Sequence, residues 1–313
     1  MKSFLRFSAC AAAIAFAFPA SAQDKLKVVA SFSIIGDFAK QVGGDHIELA
    51  TIVGPGGDAH VYEPKPADAA AMQKANVVLV NGLHFEGFLQ RLVDSSATKA
   101  SVVELTKGVE TIEAKDEDDH HDEATEEAHE EGGHHHEGVD PHAFQSIGNA
   151  EIYVKNIADA FCAADAADCD TYKANAAAYI VTLEALDDEV KAAIASIPAD
   201  KRTIITSHDA FGYFEHAYGI DFLAPERIST ESEASAADVA KLVKQVREDK
   251  AAAIFVENIT DPRLSKQIAE ETGLKIGGTL YSDALSDASG PASTYVDMMR
   301  HNVSTIKGAV LGS

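Results

Sequence analysis

The sequence predicts an α/β protein of two lobes with mostly parallel sheets, joined by one long helix. Short apolar runs alternate with helical periodicity in two blocks, one over residues 26–105 and one from residue 203 onward. Alternation of this kind builds βαβ units, whose strands pair in parallel. Between the blocks lies one unbroken helical stripe, and 313 residues suit about two domains at ~100–200 residues each.

In the first block, residues 26–32 read as a strand, 34–42 as a helix, 46–53 as a strand and 67–74 as a helix. Residues 77–80 read as a strand, 85–93 as a helix and 101–105 as a strand. A helix then spans about 149–162. The next carries Tyr172, Ala176, Tyr179, Leu183, Leu186, Val190, Ile194 and Ile197 at spacings of three and four, which is one continuous helical face. Pro198 ends it, and a helix over 170–197 reaches about 40 Å at 1.5 Å per residue, long enough to cross two domains. In the second block, strands are expected at 203–206, 220–223, 252–256 and 274–279, with helices near 213, at 236–247, at 263–272 and from about 292. The domain division is a first lobe over 23–145, linking helices over 146–198 and a second lobe over 199–313.

Lys2 and Arg6 precede the apolar run 9–18, and Ala20-Ser21-Ala22 follows. Residues 1–22 therefore read as a cleaved secretory signal, with cleavage near Ala22/Gln23 and an exported, soluble product. The run is shorter than the ~20 residues of a membrane span. Cys10 sits too early, with no hydrophobic run before it, to read as a lipid-attachment site. Cys162 and Cys169 then remain, a pair in a compartment that permits disulfides. Across seven residues of continuous helix their Cα atoms lie about 10.5 Å apart, beyond the ~7 Å limit for a bridge. Pairing therefore requires a helix break within residues 163–168; the alternative is two free thiols.

The formal charge, 26 Lys+Arg against 50 Asp+Glu, is −24. That excludes a nucleic-acid binder, which needs clustered cations for phosphate contacts. Hydrophobic residues make up 46% of the chain, which excludes disorder throughout. Residues 113–137 hold 12 acidic residues, six His and one Lys, and so carry −11 of the −24. Nothing there can bury apolar area, and a mobile loop is expected.

Four segments carry the chemistry. His60 lies on the loop after the strand 46–53, and His208 directly after the strand 203–206. His142 follows the acidic loop in Asp140-Pro141-His142, and Asp283 comes shortly after the last strand. Ligands of open α/β sheets bind at strand C-terminal ends. Three imidazoles and one carboxylate converging on an interlobe cleft offer a tetrahedral set suited to Zn²⁺, whereas manganese and iron favour more oxygen. Copper binds such ligands at least as tightly, so selectivity rests on geometry and availability. The loop imidazoles His120, His121, His129, His134, His135 and His136 form a second, weaker metal set, or else a solvated insertion with no metal role. His46, His216 and His301 read as surface or packing residues.

The segments His60-Val61-Tyr62-Glu63-Pro64, Asp140-Pro141-His142, Ser207 to Phe214, Ile268 to Gly273, Tyr281-Ser282-Asp283, Gly290-Pro291-Ala292 and Met298 to Asn302 resemble the metal-binding periplasmic solute-binding proteins of ABC importers of zinc and manganese. The resemblance covers nearly all of the mature chain. It implies two α/β lobes bridged by a rigid helix, metal in the cleft at His60, His142, His208 and Asp283, and modest lobe motion. With His208 at the third ligand position, where manganese and iron binders carry Glu, it implies a zinc-type member.

The expected function is capture of periplasmic Zn²⁺ and delivery to a membrane permease, by a monomer that is not an enzyme, with a periplasmic zinc chaperone as a possible further partner. The alternatives are a manganese or iron binder of the same family, a zinc-storage or adhesion protein using the loop alone, and a zinc hydrolase. Against the last, the chain has neither His-Glu-x-x-His nor Gly-x-Ser-x-Gly. Two positions depart from the family pattern. Ala143-Phe144-Gln145-Ser146 follows His142 in place of an aromatic and Asp-Pro, and His84 stands where a smaller residue is usual and is expected to pack near the cleft. Ligation requires neutral imidazoles, so metal affinity is expected to fall below roughly pH 6.5.

Overall fold

The computed structural model describes residues 24–114, 138–232 and 234–312. The signal segment 1–22 and the six loop histidines His120, His121, His129, His134, His135 and His136 lie outside them.

The first lobe runs β1 (Leu26–Phe32), α1 (Ser33–Gly43), β2 (Ile47–Val53), α2 (Pro66–Lys74), β3 (Val77–Val80), α3 (Leu89–Ser96) and β4 (Ser101–Glu104). Two helices follow, α4 (Ile147–Ala164) and α5 (Cys169–Ala195). The second lobe runs β5 (Thr203–Ile205), α6 (Gly212–Tyr218), β6 (Asp221–Leu223), α7 (Ala236–Asp249), β7 (Ile254–Glu257), α8 (Arg263–Thr272), β8 (Ile276–Leu280) and α9 (Tyr295–Leu311). The two sheets share one topology, β2-β1-β3-β4 and β6-β5-β7-β8. Every pairing between these strands is parallel. The central strands are buried on both faces, as helices on each side of a parallel sheet require: all four residues of β3, and all of β1 but Lys27, are inside.

The bridging helix follows its sequence stripe. The buried residues of α5 are Tyr172, Ala176, Tyr179, Leu183, Leu186, Val190 and Ile194. They join one large core that runs from the first lobe through α4 and α5 to α9. A smaller, separate core lies between Ile205, Ile254 and the apolar faces of α7 and α8. The helix break that the cysteines required falls at residues 165–168, where Cys162 and Cys169 are disulfide-bonded with Cα atoms 4.5 Å apart.

One helix starts later than its periodicity indicates. α3 begins at Leu89 because Phe85 and Glu86 turn inward. The Glu86 carboxylate accepts from Ser31 Oγ and from Asn81 N, each at 2.6 Å. Around it the chain takes three left-handed residues in succession, Gly82 (φ 89°), Leu83 (53°) and His84 (60°). His84 lies in that turn and is exposed, where a packed side chain was expected.

Candidate metal centre

The four ligand-type residues leave strand C-terminal ends and meet. His60 follows β2, His142 follows β4 across the insertion, His208 follows β5, and Asp283 lies three residues beyond β8. The insertion is closed at its base by an antiparallel bridge between Glu113 and Val139, which returns the chain to Asp140 and His142. His142, His208 and Asp283 are fully buried and His60 is 5% exposed.

One ligand atom from each of the four lies within 4.8 Å of all the others. His60 Nε2 is 3.3 Å from His142 Nε2. Asp283 Oδ2 is 3.1 Å from His208 Nε2, 3.4 Å from His60 Nε2 and 3.6 Å from His142 Nε2. A tetrahedral ion with ligands at 2.0–2.1 Å has edges of about 3.3–3.4 Å. The Asp283 oxygen and the His60 and His142 nitrogens are thus already spaced close to the edges of a four-coordinate shell, with His208 at a similar distance from Asp283.

Carboxylates behind the rings set their tautomers. Asp140 Oδ1 lies 2.8 Å from His142 Nδ1 and accepts His142 N at 2.8 Å. Glu257, the last residue of β7, accepts Ser207 N at 2.7 Å and His208 N at 2.9 Å through Oε1. Its Oε2 lies 2.7 Å from His208 Nδ1, an ionic contact rather than an aligned hydrogen bond. A carboxylate on Nδ1 keeps the proton there and leaves the Nε2 lone pair for a metal. His60 is placed differently. Its backbone N–H donates to Asp58 Oδ1 at 2.9 Å, and Phe85 packs on its ring at 4.7 Å between centroids. Gly212, at the start of α6, lets that helix lie against Asp140, since a Cβ there would collide with Asp140 Oδ2.

The charges are strongly coupled. Burial lowers the His142 pKa, but Asp283 and Asp140 outweigh it and raise the value to about 9. Burial acts on His208 likewise and is overcome by Glu257 and Asp283, so its pKa lies well above the imidazole norm. Burial raises Asp283, yet His142 and His208 hold it well below the carboxylate range. These directions favour an ionised Asp283 carboxylate beside protonated His142 and His208 in the metal-free site. A divalent cation replaces those protons.

Reading the sequence found all four converging residues and overlooked two that orient them. Asp140 lay within a quoted motif without a role, and Glu257 was not singled out. Its signal was available, an acidic residue closing the apolar run Ile254-Phe255-Val256 at a strand's C-terminal end. His84 is not among the converging groups. His46 pairs with Asp168 at 2.8 Å and His301 Nε2 meets Thr279 O at 3.0 Å, both structural contacts, while His216 is exposed.

Residues 28–309 match the family described as zinc-uptake complex component A, periplasmic (ZnuA). The manganese-binding lipoprotein MntA of Halalkalibacterium halodurans is 33% identical over 280 residues, covering 90% of this chain and 87% of that one. The iron-binding protein YfeA of Yersinia pestis is 32% identical over 296 residues, covering 94% and 89%. Among solved structures, the periplasmic zinc binding protein TroA from Treponema pallidum superposes with a TM-score of 0.80 at 28% identity, covering 92% of this chain and 99% of that one. A manganese-bound mutant of the periplasmic metal binding protein from Candidatus Liberibacter asiaticus gives a TM-score of 0.80 at 31% identity, covering 92% of this chain and 100% of that one.

Proposed function

The chain belongs to the family of periplasmic zinc-uptake components, and from that premise we propose that it captures Zn²⁺ outside the cytoplasmic membrane and hands it to the permease of an ABC importer. It acts as a carrier that binds its cargo without transforming it. The observation that carries the zinc reading is the donor set, three imidazole nitrogens and one carboxylate oxygen all within 4.8 Å of one another, the carboxylate 3.1 to 3.6 Å from each imidazole. Zinc favours four-coordinate sites of this chemistry. With four protein donors, no position is left for the activated water that a zinc hydrolase needs. The chain works as a monomer beside its permease, and the cleaved signal at residues 1–22 delivers it to the periplasm. A periplasmic chaperone is one source of the zinc.

One observation favours a second reading, manganese or iron as cargo. The other oxygen of Asp283, Oδ1, is buried without a hydrogen-bond partner. Bidentate ligation through it gives a five-coordinate N₃O₂ shell, closer to the oxygen-richer sites those ions prefer. Competition titration of the mature protein decides between them. The zinc reading expects one tight zinc equivalent, not displaced by excess manganese and weakened by orders of magnitude in His208→Ala. Tight manganese binding that resists zinc at equal concentration overturns it.

A further inference from the structure

Two lobes and four ligands suggest a division of two and two, with His208 and Asp283 closing on His60 and His142. The hydrogen bonds divide the site differently. Asp283 belongs to the second lobe in sequence, yet three bonds tie its loop to the first. Gln145 Nε2 donates to Ser282 O at 2.7 Å. Leu285 N donates to Ser33 Oγ at 2.9 Å, and Gly56 N donates to Leu285 O at 2.9 Å. These anchors bracket Asp283 on both sides. Gln145 and Ser282 are fully buried, so neither group has water to turn to if their bond opens.

The loop's remaining ties run to β7 and to α9, and Asn258 N donates to Leu280 O at 3.1 Å at its start. Ala284 O accepts Asn258 Nδ2 at 3.1 Å from the end of β7. Tyr281 N donates to Asn302 Oδ1 on α9 at 2.9 Å, and Asn302 Nδ2 donates back to Tyr281 O at 2.7 Å. But α9 is itself fastened to the first lobe: Tyr295 N donates to Asp37 Oδ2 on α1 at 2.9 Å, and Tyr295 Oη donates to Phe144 O at 2.7 Å.

His208 has the opposite attachment. The Ser207 and His208 amides donate to Glu257, Thr206 N donates to Leu223 O at 3.0 Å, and Glu226 N donates to Ser207 O at 3.3 Å, all within the second lobe. Its strand lies between the two cores, with Ile205 on the smaller one beneath α7 and α8 and Ile204 on the large one. The helix that follows, α6, returns to the first lobe, where Tyr213 Oη donates to Asp140 O at 3.1 Å. The stretch attached to the second lobe alone is therefore short and carries this one ligand.

We propose that His60, His142 and Asp283 form a three-donor half-site preassembled on the first lobe, that His208 is the single ligand the second lobe adds and withdraws, and that Gln145 is the positioning residue keeping Asp283 in the first-lobe set. The proposal rests on the metal-cargo reading above. A metal then meets three donors at once and His208 last. On release, His208 leaves first.

Hydrogen exchange on the mature full-length chain, metal-free and with zinc alone, tests the division. The expected result is that zinc slows exchange over 206–211 and leaves 282–285 equally protected with and without metal. Metal-dependent protection of 282–285 in step with 206–211 overturns the division. No zinc-dependent change in either segment overturns the cargo reading itself. Gln145→Leu, checked for an unchanged metal-free unfolding midpoint, is expected to make 282–285 metal-dependent and to speed zinc loss by about tenfold, in the range for groups that orient ligands. Cobalt d–d spectra add a readout that stability does not move. His208→Ala is expected to retain one weakly held cobalt with an altered spectrum, and Gln145→Leu to keep the wild-type spectrum when saturated. Loss of all cobalt binding in His208→Ala, or an unchanged dissociation rate and unchanged exchange in Gln145→Leu, contradicts the assignment.

Discussion

His142 shows how far a buried environment moves a site from the reading its residue types alone give. The unperturbed imidazole value placed the loss of metal affinity below roughly pH 6.5, but Asp283 and Asp140 raise His142 to about 9 despite burial. His208 moves in the same direction. The folded pKa exceeds the unfolded one, so the metal-free protein gains stability from these protonated rings below about pH 6.5. That gain is lost as pH rises through about 9 for His142. Metal binding runs the other way, since each ring must lose its proton before it ligates, and affinity should keep climbing from pH 6.5 toward 9. Calorimetry at pH 7.5 in buffers of different ionisation enthalpy should show release of about two protons per zinc, one for each of these raised imidazoles. Release near zero would mean that the metal-free rings are neutral and the coupling is absent.

At the scale of elements, the strands and the bridging helix were the most legible parts of the sequence, because one face or both faces of each lie in a core. The α5 stripe is an example. All seven of its helical members are buried, and Ile197 just past the helix is buried too. The α3 start was misread because Phe85 and Glu86 fit a helical period while obeying a different demand. The buried Glu86 carboxylate requires Ser31 and the Asn81 amide, and a left-handed turn over 82–84 satisfies it. A tertiary hydrogen bond of that kind leaves no periodicity to read. The α4–α5 corner is the converse case, since spacing alone showed that a bridge between Cys162 and Cys169 required a broken helix. So short a ring contributes about 2–2.5 kcal/mol by loop-closure entropy. Urea unfolding of the double Cys162→Ser, Cys169→Ser variant should lose about that much, with zinc affinity unchanged because the corner lies at the far end of α4 from His142. A loss of zinc affinity would show that the corner supports the site.

Over the whole molecule, two sheets of one topology present strand ends to a shared cleft, and the convergence of His60, His142, His208 and Asp283 was legible because each stands past such an end. Their apportioning between lobes was not legible. It depends on bonds such as Gln145 to Ser282, separated by 137 positions, which no local pattern records. One buried N₃O centre is expected to hold the cargo, with the His-rich segment 116–137 dispensable for tight binding. Zinc K-edge absorption on protein loaded with one equivalent, with and without residues 116–137, tests it most directly. The expected result is the same set of ligands in both, three imidazole nitrogens and a carboxylate oxygen at about 2.0–2.1 Å. A shell of four or more imidazoles in the full chain that disappears with the loop would contradict it.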